Sequence, residues 1–380
     1  MDELLRNPVF VSHALAAAAS VSLGTTLTYP LDTIKTLIQV GATSSKQLTT
    51  SQVLGRVESL SGYSGLYRGF TWLTLGRVTS VGARFGVYEI LTAYYKDGRI
   101  DNNVYVSEAL LAGMAAGAVE SFLNSPFEMI MLRKQVTSAV PISSSSSNSA
   151  TKHMVTPVIS RLLPGFVPDK VALDRTVSLL SVLSSKNHNM ANALRNYPWT
   201  ITGSGKPPSA TDVKRPIDII KLEGLRAMWR GLRGGIARDS VFGGIFFGSW
   251  QFLHLRMLDW KAVGMDPPPE TNDEIGPLSP LAVSLAAGFS GSLAGAVSHG
   301  FDTSRTRSQC IVLPRYLAME RKLLKWKRPG NWFERLTGIH PADRKVLFRG
   351  ISLRTARCGL ASFILVGSYF LSVEHLVAKS

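Results

Sequence analysis

Charged residues recur at a fixed spacing inside apolar segments of the sequence. In the first such stretch, YPLDTIKTLIQ, an acid and a base stand three residues apart and a glutamine follows the base. An ionisable group at membrane depth must face the protein interior and find a partner. The spacing therefore predicts charges that face inward and pair. The charged and glutamine residues of the three copies are Asp32, Lys35 and Gln39, then Glu128 and Gln135, and finally Asp302, Arg305 and Gln309.

The second and third copies each depart from the first at one position. SPFEMIMLRKQ has Met131 where the base is expected, and HGFDTSRTRSQ has Gly300 where the other copies have Pro30 and Pro126. A proline inside a helix bends it. We therefore expect bends at Pro30 and Pro126. The third bend is left open, because Gly300 lacks the proline ring.

A second motif, an aromatic residue followed by arginine and glycine, comes after each copy. Its members are Tyr67-Arg68-Gly69, Trp229-Arg230-Gly231 and Phe348-Arg349-Gly350. Such internal repetition is stronger architectural evidence than any single motif. The two motifs are much further apart in the second copy, and the excess falls within residues 137–219. The polar runs SSSSSNSA and GSGKPPSA in that segment predict an inserted loop.

The composition is typical of a membrane protein. Of the 380 residues, 45% are hydrophobic and 18% are charged, against about 25% charged in soluble domains. Six apolar segments exceed the roughly 20 residues that a spanning helix needs. They are residues 10–39, 69–95, 105–135, 232–258, 279–309 and 351–376. Small residues four apart should let these helices approach closely. These pairs are Ser20 and Gly24, Gly113 and Gly117, and Gly291 and Gly295.

Other function classes are disfavoured by the same sequence. The net charge of +16 suits an anionic surface, either nucleic acid or lipid headgroups. Two cysteines cannot form a disulfide framework, so a secreted scaffold is disfavoured. The histidines are scattered, and neither a nucleophile–base pair nor a metal-ligand cluster stands out. We expect neither an enzyme nor a cofactor.

These two interleaved motifs resemble those of the mitochondrial carrier family. That family ends each odd helix with P-x-[DE]-x-x-[KR] and begins each even helix with [FYW]-[KR]-G. The resemblance covers nearly the whole chain outside the insertion. It implies an all-α membrane protein with six transmembrane helices in three tandem repeats, around a central cavity with pseudo-threefold symmetry. The repeats would be residues 1–99, 100–260 and 261–380. The mitochondrial inner membrane is the family's default location, and plastid and peroxisomal members exist.

The resemblance also implies an inner gate, formed where the bent helix ends converge. In the family, the base of one repeat pairs with the acid of the next, and the glutamines brace these pairs. The implied pairs here are Lys35 with Glu128, and Arg305 with Asp32. Met131 cannot pair with Asp302. We therefore expect two inner pairs rather than three, and a weakened gate.

The outer gate of the family is eroded in this sequence. The pattern [FY]-[DE]-x-x-[KR] retains a candidate pair in Glu89 of the second helix and His254 of the fourth. Because histidine changes charge near neutral pH, such a gate would respond to pH.

Substrate contacts in the family lie midway along the even helices. The matching residues here are Arg77, Ser80 and Arg84 in the second helix, Arg238 and Asp239 in the fourth, and Arg357 in the sixth. Arginine binds a carboxylate bidentately, and an aspartate can accept an ammonium group. This set predicts a small anionic or zwitterionic metabolite, either an amino acid or another carboxylate.

Structural alternatives exist for several of these residues. Arg238 and Asp239 can instead form a purely structural pair between helices, and Arg84 can snorkel or bind a backbone carbonyl. Glu120 is either a cavity ligand or hydrogen-bonded to a neighbouring helix. Ser80 is better explained by helix packing.

Lipid is the expected macromolecular partner. The arginine–glycine pairs Arg68-Gly69, Arg230-Gly231 and Arg349-Gly350 resemble the family's cardiolipin sites, where helix N-termini receive phosphate. The basic, tryptophan-containing segment 315–336 suits an anionic leaflet better than nucleic acid. We expect a monomer with a small-molecule substrate and no nucleic-acid partner.

Transport by alternating access, through exchange or import, is the favoured function. A non-transporting adaptor or membrane-organising protein with the same fold is the alternative, since the eroded outer gate permits it. A nucleotide or cofactor is the alternative substrate. An adaptor would not need Arg238, Asp239 and Arg357 in register, so these residues favour transport.

Overall fold

The structure is a computed structural model that describes residues 8–41, 49–97, 99, 104–139, 213–265, 275–310, 312 and 341–377. Within these residues the chain forms nine α-helices and three short 3₁₀ turns, and no strand occurs among them. The helices are α1 Pro8–Gly41, α2 Thr50–Ser61, α3 Phe70–Lys96, α4 Val106–Thr137, α5 Pro216–Glu223, α6 Leu232–Val263, α7 Pro280–Val297, α8 His299–Cys310 and α9 Ile351–Val377. The predicted all-α fold is confirmed.

Six long segments form a closed ring. Around it, α1 packs on α3, α3 on α4, α4 on α6, α6 on α7, α7 on α9, and α9 returns to α1. The order around the ring is the order along the chain. Three repeats, each a pair of long helical segments, therefore enclose one central space.

The ring presents apolar side chains outward. Large hydrophobic residues are more than half exposed on helices of all three repeats, namely Leu27, Ile90, Leu111, Phe289 and Leu371. Three described segments are long and apolar enough to cross a membrane by length and composition: Val106–Thr137, Pro280–Val297 and Lys345–Glu374. Charged residues in the other long helices lower their hydropathy, and many of these charges face the central space.

Two odd helices contain a proline where the charge motif begins, and the third odd segment breaks there. Pro30 lies inside α1 and Pro126 lies inside α4. In the third copy the helix breaks completely, with Ser298 as a turn between α7 and α8. The Ser298 hydroxyl donates to the carbonyl of Ala294 at 2.7 Å. The break therefore falls two residues before Gly300, without a proline.

Small residues set the distance between neighbouring helices, as predicted. A Cβ added at Gly113 would lie 2.4 Å from the backbone oxygen of Gly243, and one at Gly117 would lie 2.0 Å from that of Asp239. Within the third repeat, a Cβ at Gly291 would lie 2.3 Å from the hydroxyl of Ser362. Only a residue without a side chain permits such backbone approach.

Two short helices that the sequence analysis did not predict lie beside the ends of the odd helices. In α2 a capping box joins Thr49 and Gln52, and Val53 and Val57 pack against α1. Helix α5 begins at residue 216, so the last four residues of the predicted inserted loop are helical. Residues 140–212 of that loop and the basic segment 315–336 lie outside the described residues.

Candidate functional site

The ring encloses a cavity with an empty volume of about 1310 Å³, part of it open solvent. Helices α1, α3, α4, α6, α8 and α9 form its wall. Seven basic and five acidic side chains line it among the described residues, an excess of two positive charges. The basic residues are Lys35, Arg77, Arg84, Arg238, Arg305, Arg354 and Arg357, and the acidic ones are Asp32, Glu120, Glu128, Asp239 and Asp302.

The inner charges meet in ion pairs, but the predicted pairing is wrong in direction. Lys35 Nζ lies 2.9 Å from Asp302 Oδ2, and Arg305 Nη2 lies 2.8 Å from Glu128 Oε2. Lys35 was expected to pair with Glu128, and Arg305 with Asp32. Each base instead reaches the acid of the preceding repeat in the ring. Which neighbouring acid a base meets depends on how the helix ends are arranged in three dimensions, and motif spacing carries no such information.

Two of the three glutamines brace the acids. Gln39 Nε2 donates to Asp302 Oδ2 at 3.1 Å, and Gln135 Nε2 donates to Asp32 Oδ2 at 3.2 Å. Gln309 differs, because its Nε2 donates to the backbone oxygen of Arg230 at 3.3 Å. All three glutamine side chains are buried.

The acid that Met131 leaves without its motif partner is Asp32, not Asp302 as expected. Arg357 of α9 takes the place of that partner, with Nη1 2.9 Å from Asp32 Oδ1. Lys35 also approaches Asp32, at 3.4 Å. The gate therefore has a third acid–base contact, supplied from an even helix.

Asp302 is held by three cations. Besides Lys35, it contacts Arg238 Nη1 at 3.3 Å and forms an ion pair with Arg354. The sequence analysis missed Arg354, although it lies three residues before Arg357 and so on the same helix face. Arg354 also donates to the Ser298 hydroxyl at 2.7 Å, which links the helix break to the gate.

Arg238 is the centre of the charged floor, the group of ion pairs that closes one end of the cavity. Its guanidinium lies 2.9 Å from Glu128, 2.7 Å from Asp239 and 3.3 Å from Asp302. Arg305 Nη1 adds a contact to Asp239 at 3.3 Å. The structural interpretation of the Arg238–Asp239 pair is thus supported, since it joins the second and third repeats.

The second helix brings two arginines to the cavity wall. Arg84 pairs with Glu120 of α4 and lies over the ring of Phe242, 5.2 Å from its centroid. Glu120 therefore faces the cavity. Arg77 makes no hydrogen bond or ion pair with any described residue. Ser80 is fully buried and lies outside the cavity wall, as expected of a packing serine.

Apolar side chains line the part of the cavity beyond the charged floor. Phe85, Phe242 and Phe246 contribute aromatic rings, and Phe242 and Phe246 stack with an interplanar angle of 8°. Phe85 remains 39% exposed. The cavity is therefore charged at one end and partly aromatic along the wall.

The predicted outer gate is not formed in this structure. Glu89 is exposed, and the ring of His254 stacks with Trp250 at 6.2 Å. Within the residues that the structure describes, no ion pair joins Glu89 and His254. A closed inner floor and an unformed outer pair are compatible with an outward-open state, so the outer gate stays a prediction.

The three arginine–glycine motifs sit immediately before the even helices. Gly69, Gly231 and Gly350 have φ angles of +89°, +79° and +78°, values that favour glycine. The first N–H groups of a helix have no partner within the helix, and this is the arrangement that receives phosphate in anion sites. The lipid sites stay a prediction.

The preceding arginines have different partners. Arg68 donates to the backbone oxygen of Thr137 at 3.4 Å, whereas Arg230 forms an ion pair with buried Glu223. Arg349 lies half-buried in the third copy.

Comparison with known proteins agrees with this geometry. The family model described as "Mitochondrial carrier protein" matches residues 6–99. The Arabidopsis thaliana mitochondrial dicarboxylate/tricarboxylate transporter DTC is 27% identical over 36% of this chain and 45% of its own length. The Xenopus laevis mitochondrial coenzyme A transporter SLC25A42 is 30% identical over 33% of the chain and 38% of its own length.

One relative matches over most of its length. The Arabidopsis thaliana mitochondrial arginine transporter BAC2 is 27% identical over 64% of the chain and 88% of its own length. The other two matches span less than half of each relative. With the threefold motif and the six-membered ring, these matches support membership of the mitochondrial carrier protein family.

Proposed function

We propose that this protein carries a small anionic or zwitterionic metabolite, a carboxylate or an amino acid, across the mitochondrial inner membrane by alternating access. The family and the relatives named as mitochondrial transporters support transport and this location. The cavity, closed at one end by ion pairs and open to solvent, supports a site that faces one side at a time.

Arg77 is the observation that carries the substrate class. It lines the cavity, yet no described residue engages it by hydrogen bond or ion pair. A charged group away from bulk water needs a partner, and the planar fork of a guanidinium fits a carboxylate. An incoming anion would supply that partner.

The acids of the cavity argue for an anion over a cation. Each of the five already contacts at least one arginine or lysine. Asp239, the candidate ammonium acceptor, is held by both Arg238 and Arg305. A cationic substrate such as the arginine named for one relative would need to displace these contacts. A carboxylate therefore fits better than a basic amino acid.

The aromatic wall supports a second substrate candidate. Phe85, Phe242 and Phe246 could stack on a planar ring, whose anionic group would lie toward Arg77. A nucleotide or cofactor would satisfy this arrangement, and a coenzyme A transporter is among the relatives.

The test is uptake into proteoliposomes that contain the purified full chain. The labelled panel comprises mono-, di- and tricarboxylates, acidic and basic amino acids, and adenine nucleotides. Vesicles loaded with each unlabelled compound, compared with empty ones, separate exchange from uniport. We expect uptake of at least one carboxylate and none of arginine.

Absence of uptake across the whole panel, with folding confirmed by thermal unfolding, would contradict transport and favour the adaptor. Uptake of nucleotides alone would shift the substrate to the second candidate.

A further inference from the structure

Position 131 faces Asp32 by the symmetry of the repeats. In the first copy, Lys35 and the glutamine one turn later both reach Asp302, at 2.9 and 3.1 Å. In the second copy, Gln135 reaches Asp32 at 3.2 Å, and Met131 lies one turn before it. Met131 is thus the counterpart of Lys35, but its side chain carries no charge.

Arg357 occupies the place of the missing cation. Its Nη1 lies 2.9 Å from Asp32 Oδ1, closer than Lys35, which is 3.4 Å away and nearer to Asp302. The Arg357 side chain is 10% exposed and borders the cavity. Unlike a gate residue on an odd helix, it belongs to α9.

Arg357 is also a neighbour of Arg77. Both line the cavity, and their like charges repel each other across it. The Nε of Arg357 donates to no group in the described part of the chain. Two guanidinium groups on α3 and α9, the two helices that flank α1 in the ring, can hold one anionic group between them because both have donors to spare.

We propose that Arg357 is both the gate cation for Asp32 and a substrate ligand, so that an anion bound between Arg77 and Arg357 draws Arg357 away from Asp32. This inference rests on the proposed transport function. Binding of the anion and loss of the contact between Arg357 and Asp32 are then one event. Asp32 of α1 then loses its closest cation, while Asp302 keeps its contacts with Lys35, Arg238 and Arg354.

A double-mutant cycle tests the gate contact without any transport. Met131→Lys should restore the motif base beside Asp32, and Met131→Leu is the apolar control. In the wild type and the Met131→Leu protein, Arg357→Gln should lower the Tm by several degrees. In the Met131→Lys background, that loss should shrink to less than half. Equal losses in all three backgrounds would overturn the gate role of Arg357.

Anion binding tests the second role. Malate, citrate and glutamate serve as probes in thermal-shift titrations of the full chain. At least one should stabilise the wild type, and both Arg77→Gln and Arg357→Gln should abolish that shift. Met131→Lys should bind the same probe several-fold more tightly, because its Arg357 no longer has to leave Asp32.

The outcomes separate this inference from the proposed function. A probe that stabilises wild type and Arg357→Gln equally would overturn the ligand role, as would no stabilisation by any probe. The two proposals can also fail separately. If the double-mutant cycle and the probe binding give the expected results but no compound enters the vesicles, both roles of Arg357 stand and transport is refuted.

Discussion

Gly117 of α4 and Asp239 of α6 are in backbone contact, so close that a Cβ on Gly117 would lie 2.0 Å from the Asp239 carbonyl oxygen. Asp239 also carries a carboxylate of the cavity floor. The packing of α4 on α6 and the position of the Asp239 carboxylate thus both depend on the lack of a side chain at Gly117.

Gly117→Ala should therefore destabilise the protein, by about 1–3 kcal/mol as in other overpacked interiors. Gly82→Ala in α3 is the matched control, because nothing lies within 4 Å of its added Cβ. It should be neutral or stabilising by about 0.5–1 kcal/mol. Thermal unfolding in detergent measures both. Equal stability of the two variants would mean that α4 and α6 are further apart.

Arg238→Gln should destabilise the protein by breaking ion pairs in the charged floor. It removes a guanidinium that contacts three carboxylates, and breaking a buried pair typically costs about 3–5 kcal/mol. Arg238→Lys should recover only part of the loss, because an ammonium group cannot span three acids. The exposed Arg256→Gln is the control, expected within about 0.5 kcal/mol of wild type. Full recovery of stability in Arg238→Lys would refute the claim that the planar guanidinium of Arg238 is required.

Glu120→Gln should strengthen anion binding. It removes the negative partner of Arg84 and raises the positive excess of the cavity from two to three. We expect the KM for a transported carboxylate to fall by about three- to tenfold. The double variant Arg84→Gln, Glu120→Gln restores the excess to two and should return KM toward the wild-type value. A KM that rises in Glu120→Gln would instead make Glu120 a substrate ligand.

Gly300→Pro should be tolerated. Gly300 is the second residue of α8, where a proline removes no hydrogen bond within the helix, and nothing lies within 4 Å of an added Cβ. Proline also restricts the unfolded chain, so we expect a gain of about 0.4–1 kcal/mol in thermal stability. A drop in Tm would show that the break at Ser298 requires a flexible residue after it.

The sequence was sufficient for the parts of the structure that repeat. Three charge motifs and three arginine–glycine motifs predicted the helices and a charged interior. The small-residue pairs predicted the close helix contacts. These features depend on local spacing and on the need to keep charges away from lipid.

The partners across the ring could not be predicted in the same way. Which acid Lys35 meets depends on the three-dimensional arrangement of the helix ends, and motif spacing does not encode it. Arg354 and Arg357 belong to α9, outside the gate motif, so their contacts with Asp302 and Asp32 emerge only in three dimensions. Helix α2 was missed because it is only twelve residues long and modestly apolar.

Uptake by Arg77→Gln tests the central claim most directly, compared in the same vesicles with Arg77→Lys and the exposed control Arg256→Gln. The account predicts that Arg77→Gln keeps the wild-type Tm yet loses most carboxylate uptake, that Arg77→Lys recovers part of it, and that Arg256→Gln transports normally. Wild-type uptake by Arg77→Gln would contradict the claim that this guanidinium binds the transported anion.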